Sequence, residues 1–180
     1  DEPDPVVEEV TEAKTWLITE QTETFPDETT ITYTYNDADQ VISATDGSQN
    51  TTFEYEDTKL NSATSGSTIS TFVYEDGSDR LQRINETQDG EDIGYIVLTY
   101  TDDYLTKVET HNTTTEEDVK ETITSIGYDA MGNITSLETQ QYDPSSDDYD
   151  TQFSLTSVES DGKVNPFSTS LAYFFMNTNN

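Results

Sequence analysis

Apolar and polar residues alternate with a period of two along most of this chain. Ile31, Tyr33 and Tyr35 stand against Thr32 and Thr34, and Phe53 and Tyr55 against Thr52 and Glu54. Phe72 with Tyr74, then Ile126 with Tyr128, repeat the arrangement. A period of two marks a strand with one buried face. Each run ends at a tyrosine followed by a turn rich in Asp, Asn or Gly, which is hairpin chemistry. Each turn leads into another apolar strand. Tyr35-Asn36 leads to Val41-Ile42, Tyr55-Glu56 to Leu60, and Tyr74-Glu75 to Leu81 and Ile84. Tyr100-Thr101-Asp102 leads to Leu105 and Val108, and Tyr128-Asp129 to Ile134 and Leu137. The steps between these tyrosines are 20, 19, 26 and 28 residues. Recurrence on that scale means one supersecondary unit copied in series.

The pattern predicts an all-β chain, an antiparallel β-meander of about twelve strands in which sequence neighbours pair. A sheet that long does not stay flat, so one twisted, curled sheet is expected. The first strand is expected from Trp16-Leu17-Ile18 through Thr24, with a turn at Phe25-Pro26-Asp27-Glu28. Tyr95–Tyr100 is apolar on both faces, so it is expected mid-sheet and best protected. Thr113–Lys120 reads as a hairpin tip or as the polar start of a strand over 119–128, and Asp143–Asp148 as another tip. No strongly amphipathic helix is expected between Trp16 and Ser160. Residues 1–13 read as a flexible acidic tail and 14–180 as a single β-repeat domain. Asn165-Pro166-Phe167 stops the strand pattern. Ser168-Thr169-Ser170 is placed to cap a short helix before Leu171–Met176, the most apolar stretch. That segment reads as a plug over the open end of the apolar face, with docking to a partner as the other reading.

Composition narrows the function. Hydrophobic residues are only 31%, offset by 11 Tyr and 7 Phe, so the core is thin and ring-rich. The net charge is −31, from 38 acids against 7 Lys and Arg. Such a chain repels phosphate backbones, which excludes nucleic acid as a partner, and it avoids anionic membrane surfaces. The charge also suppresses edge pairing between copies, so a monomer is expected. Without cysteine there is neither disulfide nor thiolate chemistry. No apolar run is long enough for a transmembrane segment. The opening Asp1-Glu2-Pro3-Asp4-Pro5 reads as a tether or as the trimmed start of an exported protein.

Catalytic chemistry finds little footing. His111 is the only histidine and reads as a solvated strand-end residue. Zinc lacks ligands. Carboxylate pairs for glycoside hydrolysis are too abundant for any one to stand out. No cofactor is expected, calcium being the one candidate. Asp37, Asp39, Asp76 and Asp79 gather hard oxygen ligands in turns, where Asp also serves simply to cap its own backbone. Sugar binding would use exposed rings at strand starts and tips, and the candidates are Trp16, Tyr104, Tyr142 and Tyr149. Thr32, Thr34, Thr52 and Thr71 are expected on solvent-facing rows.

The stretch Gly127-Tyr128-Asp129-Ala130-Met131-Gly132-Asn133-Ile134-Thr135-Ser136-Leu137 resembles a YD repeat of the RHS type. Tyr33-Thr34-Tyr35-Asn36-Asp37-Ala38-Asp39-Gln40-Val41-Ile42-Ser43 is a second close copy, and the copies at Tyr55, Tyr74 and Tyr100 are looser. Over about residues 15–176 the chain is similar to small secreted lipoproteins of Bacteroidetes built from such repeats. The resemblance implies a β-hairpin array with no established catalytic residues. It sets the expectation of a non-catalytic, extracytoplasmic interaction module, lipid-anchored at the cell surface or secreted, with a glycan or an envelope protein as ligand. A structural spacer of the envelope and a carboxylate-dependent glycoside hydrolase are the alternatives.

Overall fold

The computed structural model describes residues 17–23, 29–114 and 118–156. Trp16, the acidic tail, the turn at 25–28 and the apolar segment 171–176 lie outside them. Among the described residues there is no helix, and twelve strands form one antiparallel sheet in strict chain order. They are β1 (Glu20–Glu23), β2 (Thr29–Tyr35), β3 (Val41–Thr45), β4 (Asn50–Glu56), β5 (Lys59–Ser65) and β6 (Thr68–Tyr74). The second half is β7 (Leu81–Gln88), β8 (Glu91–Thr101), β9 (Tyr104–Asn112), β10 (Val119–Tyr128), β11 (Ile134–Asp143) and β12 (Asp148–Thr156). The meander read from the alternation is therefore the observed topology. Leu17 and Ile18, expected in the first strand, precede it and are exposed. Residue 119 opens β10, so the polar stretch before it leads into that strand. No helix among the described residues is long and apolar enough to cross a membrane.

Contacts group the chain into two compact units, Asp1–Thr52 and Phe53–Asn180. In the first, β2 pairs with β1 and β3, and the Tyr35 hydroxyl donates to the Ile18 carbonyl. The turn after Tyr35 is built by Asn36, whose Oδ1 accepts from the amides of Ala38 and Gln40, both at 3.0 Å. Asp39 completes it at φ 60°, a left-handed conformation that Asp tolerates better than most residues.

In the second unit, the apolar core lies where β6, β7, β8 and β9 adjoin. Leu81 and Ile84 are each 1% exposed and Leu98 is 4%, with Phe72, Tyr74, Ile96, Tyr100 and Leu105 packed around them. β8 is central, as its sequence predicts, but the most buried side chains belong to β7.

A repeated irregularity explains the spacing of these apolar residues. The strand register shifts at Tyr35, Tyr74, Tyr100 and Tyr128, which pair with Val41, Leu81, Leu105 and Ile134. Each shift leaves one extra residue on the returning strand: Ile42, Gln82, Thr106 or Thr135. A bulge of this kind resets the alternation by one. Leu81 and Ile84, Leu105 and Val108, and Ile134 and Leu137 therefore reach one face although they stand three apart.

Two of these tyrosines tie successive hairpins together. The Tyr74 hydroxyl donates to the Leu60 carbonyl, and that of Tyr128 to the Leu105 carbonyl, both at 2.9 Å. Leu60 and Leu105 hold the same place in the preceding hairpin, just after its turn. Burial pushes both phenols above their ordinary pKa. The Asp129 turn mirrors the Asn36 turn: Asp129 accepts from the amides of Met131 (2.8 Å) and Asn133 (2.9 Å) and from the Asn133 side chain (3.0 Å). Asn133 is 7% exposed, so this last bond satisfies a buried amide.

Candidate functional site

The other face of β6 to β11 carries charged and polar side chains interspersed with β-branched apolar ones. Cross-strand pairing sets Thr71, Asn85, Tyr95, His111 and Lys120 in one row. The next row holds Val73, Arg83, Val97, Glu109 and Ile123. In a chain with 7 Lys and Arg and one His, this brings together Arg83, Lys120, the histidine and, two residues from Glu109, Lys107.

Tyr95 is the centre of the first row. The Arg83 guanidinium carbon lies 3.6 Å from its ring centroid. From the neighbouring strand on the other side, the His111 ring stacks on it at 4.3 Å and 12°. Asp118 ties the pair: it accepts from the Tyr95 hydroxyl, and its Oδ1 lies 3.0 Å from His111 Nδ1. The bond from Tyr95, with that from His111 behind it, holds the Asp118 carboxyl below its ordinary pKa. The same bond pushes the Tyr95 phenol up. His111 was expected to be solvated. It is instead stacked, and its side chain is 14% exposed.

Glu109 is the anchor of the second row, at 9% exposed. Lys120 Nζ bonds one of its carboxylate oxygens and Lys107 Nζ the other, at 3.1 Å. Burial alone would raise its pKa, but the bonds from Lys120 and Lys107 outweigh that and leave the carboxyl below its ordinary value. The bond to Glu109 in turn raises Lys120. Arg83 differs. Its Nε donates to Asn85 Oδ1 at 2.7 Å, and its cross-strand neighbours are Val73 and Val97. No carboxylate among the described residues comes within ion-pair distance of it.

The sugar-binding candidates divide. Tyr142 and Tyr149 face each other across β11 and β12, with ring centroids 5.6 Å apart and tilted by 56°. Alternation along β11 sets Tyr142 on the face of Gln140, which pairs with Ile123 of the polar row. Both rings are half-buried and fixed by their hydroxyls, Tyr149 to the Lys120 carbonyl (2.9 Å) and Tyr142 to Asp147 (2.7 Å). Tyr104 stands at the opposite end of β9. It is 43% exposed and leans on Tyr128 at 4.9 Å and on Gly132. The structure thus brings two of the four rings together, sets Tyr104 apart, and does not describe Trp16.

The calcium candidates are exposed turn residues. Asp39 is held by its left-handed backbone, and Asp79 pairs with Lys59 at 3.1 Å. Among the described residues, no three His, Cys, Asp or Glu side chains gather closely enough to hold a metal ion.

No family model matches the chain, and no curated protein does. One solved structure similar to it is the crystal structure of TcdB2-TccC3-TEV, at 12% identity and a TM-score of 0.26. That match covers 70% of this chain and 10% of the other, so this chain spans about a tenth of that protein's length.

For hydrolysis, Glu86 is a carboxyl in a suitable setting. Burial pushes it up, against a hydrogen bond from Ser70. Its cross-strand partners, Ser70 and Gly94, bring no second acid beside it. Two depressions on the surface, of about 360 Å³ at Glu56–Asn61 with Phe72 and Tyr74 and about 330 Å³ near Ile126 and Leu155, are open to solvent.

The sequence reading missed Arg83, Tyr95, Glu109, Asp118 and Lys120. Their signal was the scarcity of bases: where acids dominate so heavily, basic residues on neighbouring strands of a meander converge on one face if their spacing agrees with the register.

Proposed function

We propose that this chain is a non-catalytic interaction module that works outside the cytoplasm, with a glycan as its ligand. The observation that carries the reading is the Tyr142–Tyr149 pair beside the polar rows. Two half-exposed rings are fixed by their own hydroxyls, so stacking a sugar on them orders little that is mobile. The polar residues near them, Asp147 bonded to Tyr142 and Gln140 on the same face, suit a hydroxyl-rich ligand. The recurrent bulge, Asx turn and tyrosine tie support reading the hairpins as YD repeats of the RHS type. The likeness to small lipoproteins supports a lipid-anchored or secreted location, and the charge of −31 supports a freely solvated surface.

A glycan array probed with the purified chain tests this. Binding that Tyr142→Ala and Tyr149→Ala both weaken is the expected result. A silent array would overturn the reading in favour of an envelope spacer, which the repeated ties between hairpins would also serve.

A further inference from the structure

Arg83 stands out in the electrostatics of this chain. There are 38 acids for 7 Lys and Arg, so a cation here rarely lacks a nearby carboxylate. Lys59 pairs with Asp79, Arg80 with Asp103, Lys107 and Lys120 with Glu109, and His111 with Asp118. Among the described residues, Arg83 bonds the Asn85 amide and lies over the face of Tyr95, and Asp118, held by that ring's hydroxyl, acts on it only from beyond ion-pair distance. The residue is half-buried, and its cross-strand neighbours on both sides are valines. A guanidinium held over a ring and bonded to an amide has little freedom left to lose, and its fork matches a carboxylate in a bidentate manner.

We propose that Arg83 is the acid-recognition subsite of this face and that the ligand is an oligosaccharide carrying a single carboxylated sugar. This rests on the glycan-binding reading above and names the class of glycan. Tyr95 and Tyr149 stand on strands four apart in the sheet, roughly 19 Å at the usual strand spacing. An oligosaccharide of a few residues spans that distance, with its carboxylate at Arg83 and a neutral ring at Tyr142 and Tyr149. The charge of the whole chain sets the other limit. A polyanionic glycan is repelled along its whole length by the net charge of −31, whereas a single carboxylate meets that repulsion once and the Arg83 guanidinium at close range.

Calorimetry at low salt with two matched pairs of probes tests the proposal. One pair is a xylo-oligosaccharide with a single glucuronic acid and the same oligosaccharide without it. The other is sialyllactose and lactose. The acidic member of at least one pair is expected to bind about tenfold more tightly, as for one charge-assisted bidentate contact. Arg83→Gln is expected to abolish that preference. Arg83→Lys, which keeps the charge and loses the flat fork, is expected to lose most of it while melting like the wild type. Equal binding within each pair, or a preference that survives Arg83→Gln, overturns the subsite but leaves the glycan reading standing. No binding of any probe overturns the subsite, and a silent array in addition overturns the glycan reading.

Discussion

The hydroxyl of Tyr128 donates to the main-chain oxygen of Leu105 at 2.9 Å, a bond that joins residues 23 positions apart. Tyr74 makes the equivalent bond to Leu60. Each phenol is half-buried, so its loss leaves a carbonyl that water reaches poorly. Tyr128→Phe keeps the ring and removes only the bond. It is expected to lower stability by about 1 kcal/mol, and Tyr74→Phe by a similar amount. Urea melts of the two variants check this. No change in either midpoint would mean that ring packing alone holds successive hairpins.

Leu81 and Ile84 are the two most buried apolar side chains among the described residues. Leu81→Ala is expected to destabilise by roughly 2–5 kcal/mol, from lost burial plus the cavity left behind. Ile42 is the bulge residue of the first unit and is 36% exposed. Ile42→Ala is expected to shift the melt by less than about 1 kcal/mol. The contrast, read by chemical denaturation, tests the assignment of the bulge residue to the outside.

Gly132 and Gly77 both have positive φ, 81° and 71°, but their surroundings differ. A Cβ on Gly132 would stand 2.7 Å from the Tyr104 hydroxyl oxygen and 2.9 Å from its ring, whereas one on Gly77 meets nothing within 4 Å. Gly77→Ala is expected to lose about 1 kcal/mol from backbone strain alone. Gly132→Ala is expected to lose more and to displace Tyr104 from Tyr128. Thermal melts, with near-ultraviolet circular dichroism for the tyrosines, distinguish the two.

Glu109 supplies the pH dependence. Its folded pKa lies below the ordinary 4.5, because the bonds from Lys120 and Lys107 outweigh its burial. A depressed carboxyl pKa gives stability that is fully present above the unfolded value and is lost as the pH falls through the folded one. Glu109→Gln is expected to lower stability at pH 7 by roughly 1–3 kcal/mol, leaving two lysines without their shared anion. The gap from wild type is expected to close as the pH drops below 4.5. Comparing the two proteins at each pH cancels the general relief of repulsion that acid brings to so acidic a chain. A gap that stays constant to low pH would contradict the assignment.

The net charge of −31 makes a simpler prediction. Salt screens self-repulsion, so the melting temperature is expected to rise with sodium chloride. A scan at low and high ionic strength checks this, and an unchanged Tm would count against it.

The strands and their order were legible because one rule recurred: apolar side chains at every second position, ending on a tyrosine and a turn. Ile31-Thr32-Tyr33-Thr34-Tyr35 states it plainly, and Thr32, Thr34, Thr52 and Thr71 are exposed as that rule requires. The bulges were also written in the sequence, as the three-residue spacing of Leu81 and Ile84, but that spacing has meaning only once the partner strand and its register are known. The polar face was harder to see. Arg83, Tyr95, His111 and Asp118 are up to 35 residues apart in the chain and are neutral in any periodicity. They meet only because three consecutive hairpins are cut to lengths that bring them to one patch of the same face. Tyr104 is 43% exposed, as a ring at a strand start suggests, but its lean on Gly132 from the next hairpin could not be read before the register was known.

The tie between a phenol and the carbonyl one hairpin earlier has an evolutionary corollary. Donor and acceptor occupy equivalent places in the two copies that carry it, those of Tyr74 and Tyr128, so duplicating or deleting such a copy whole regenerates the junction without any compensating substitution. Gene slippage at these boundaries would yield longer or shorter relatives that fold at once, whereas a breakpoint inside a copy would strand one half of the bond.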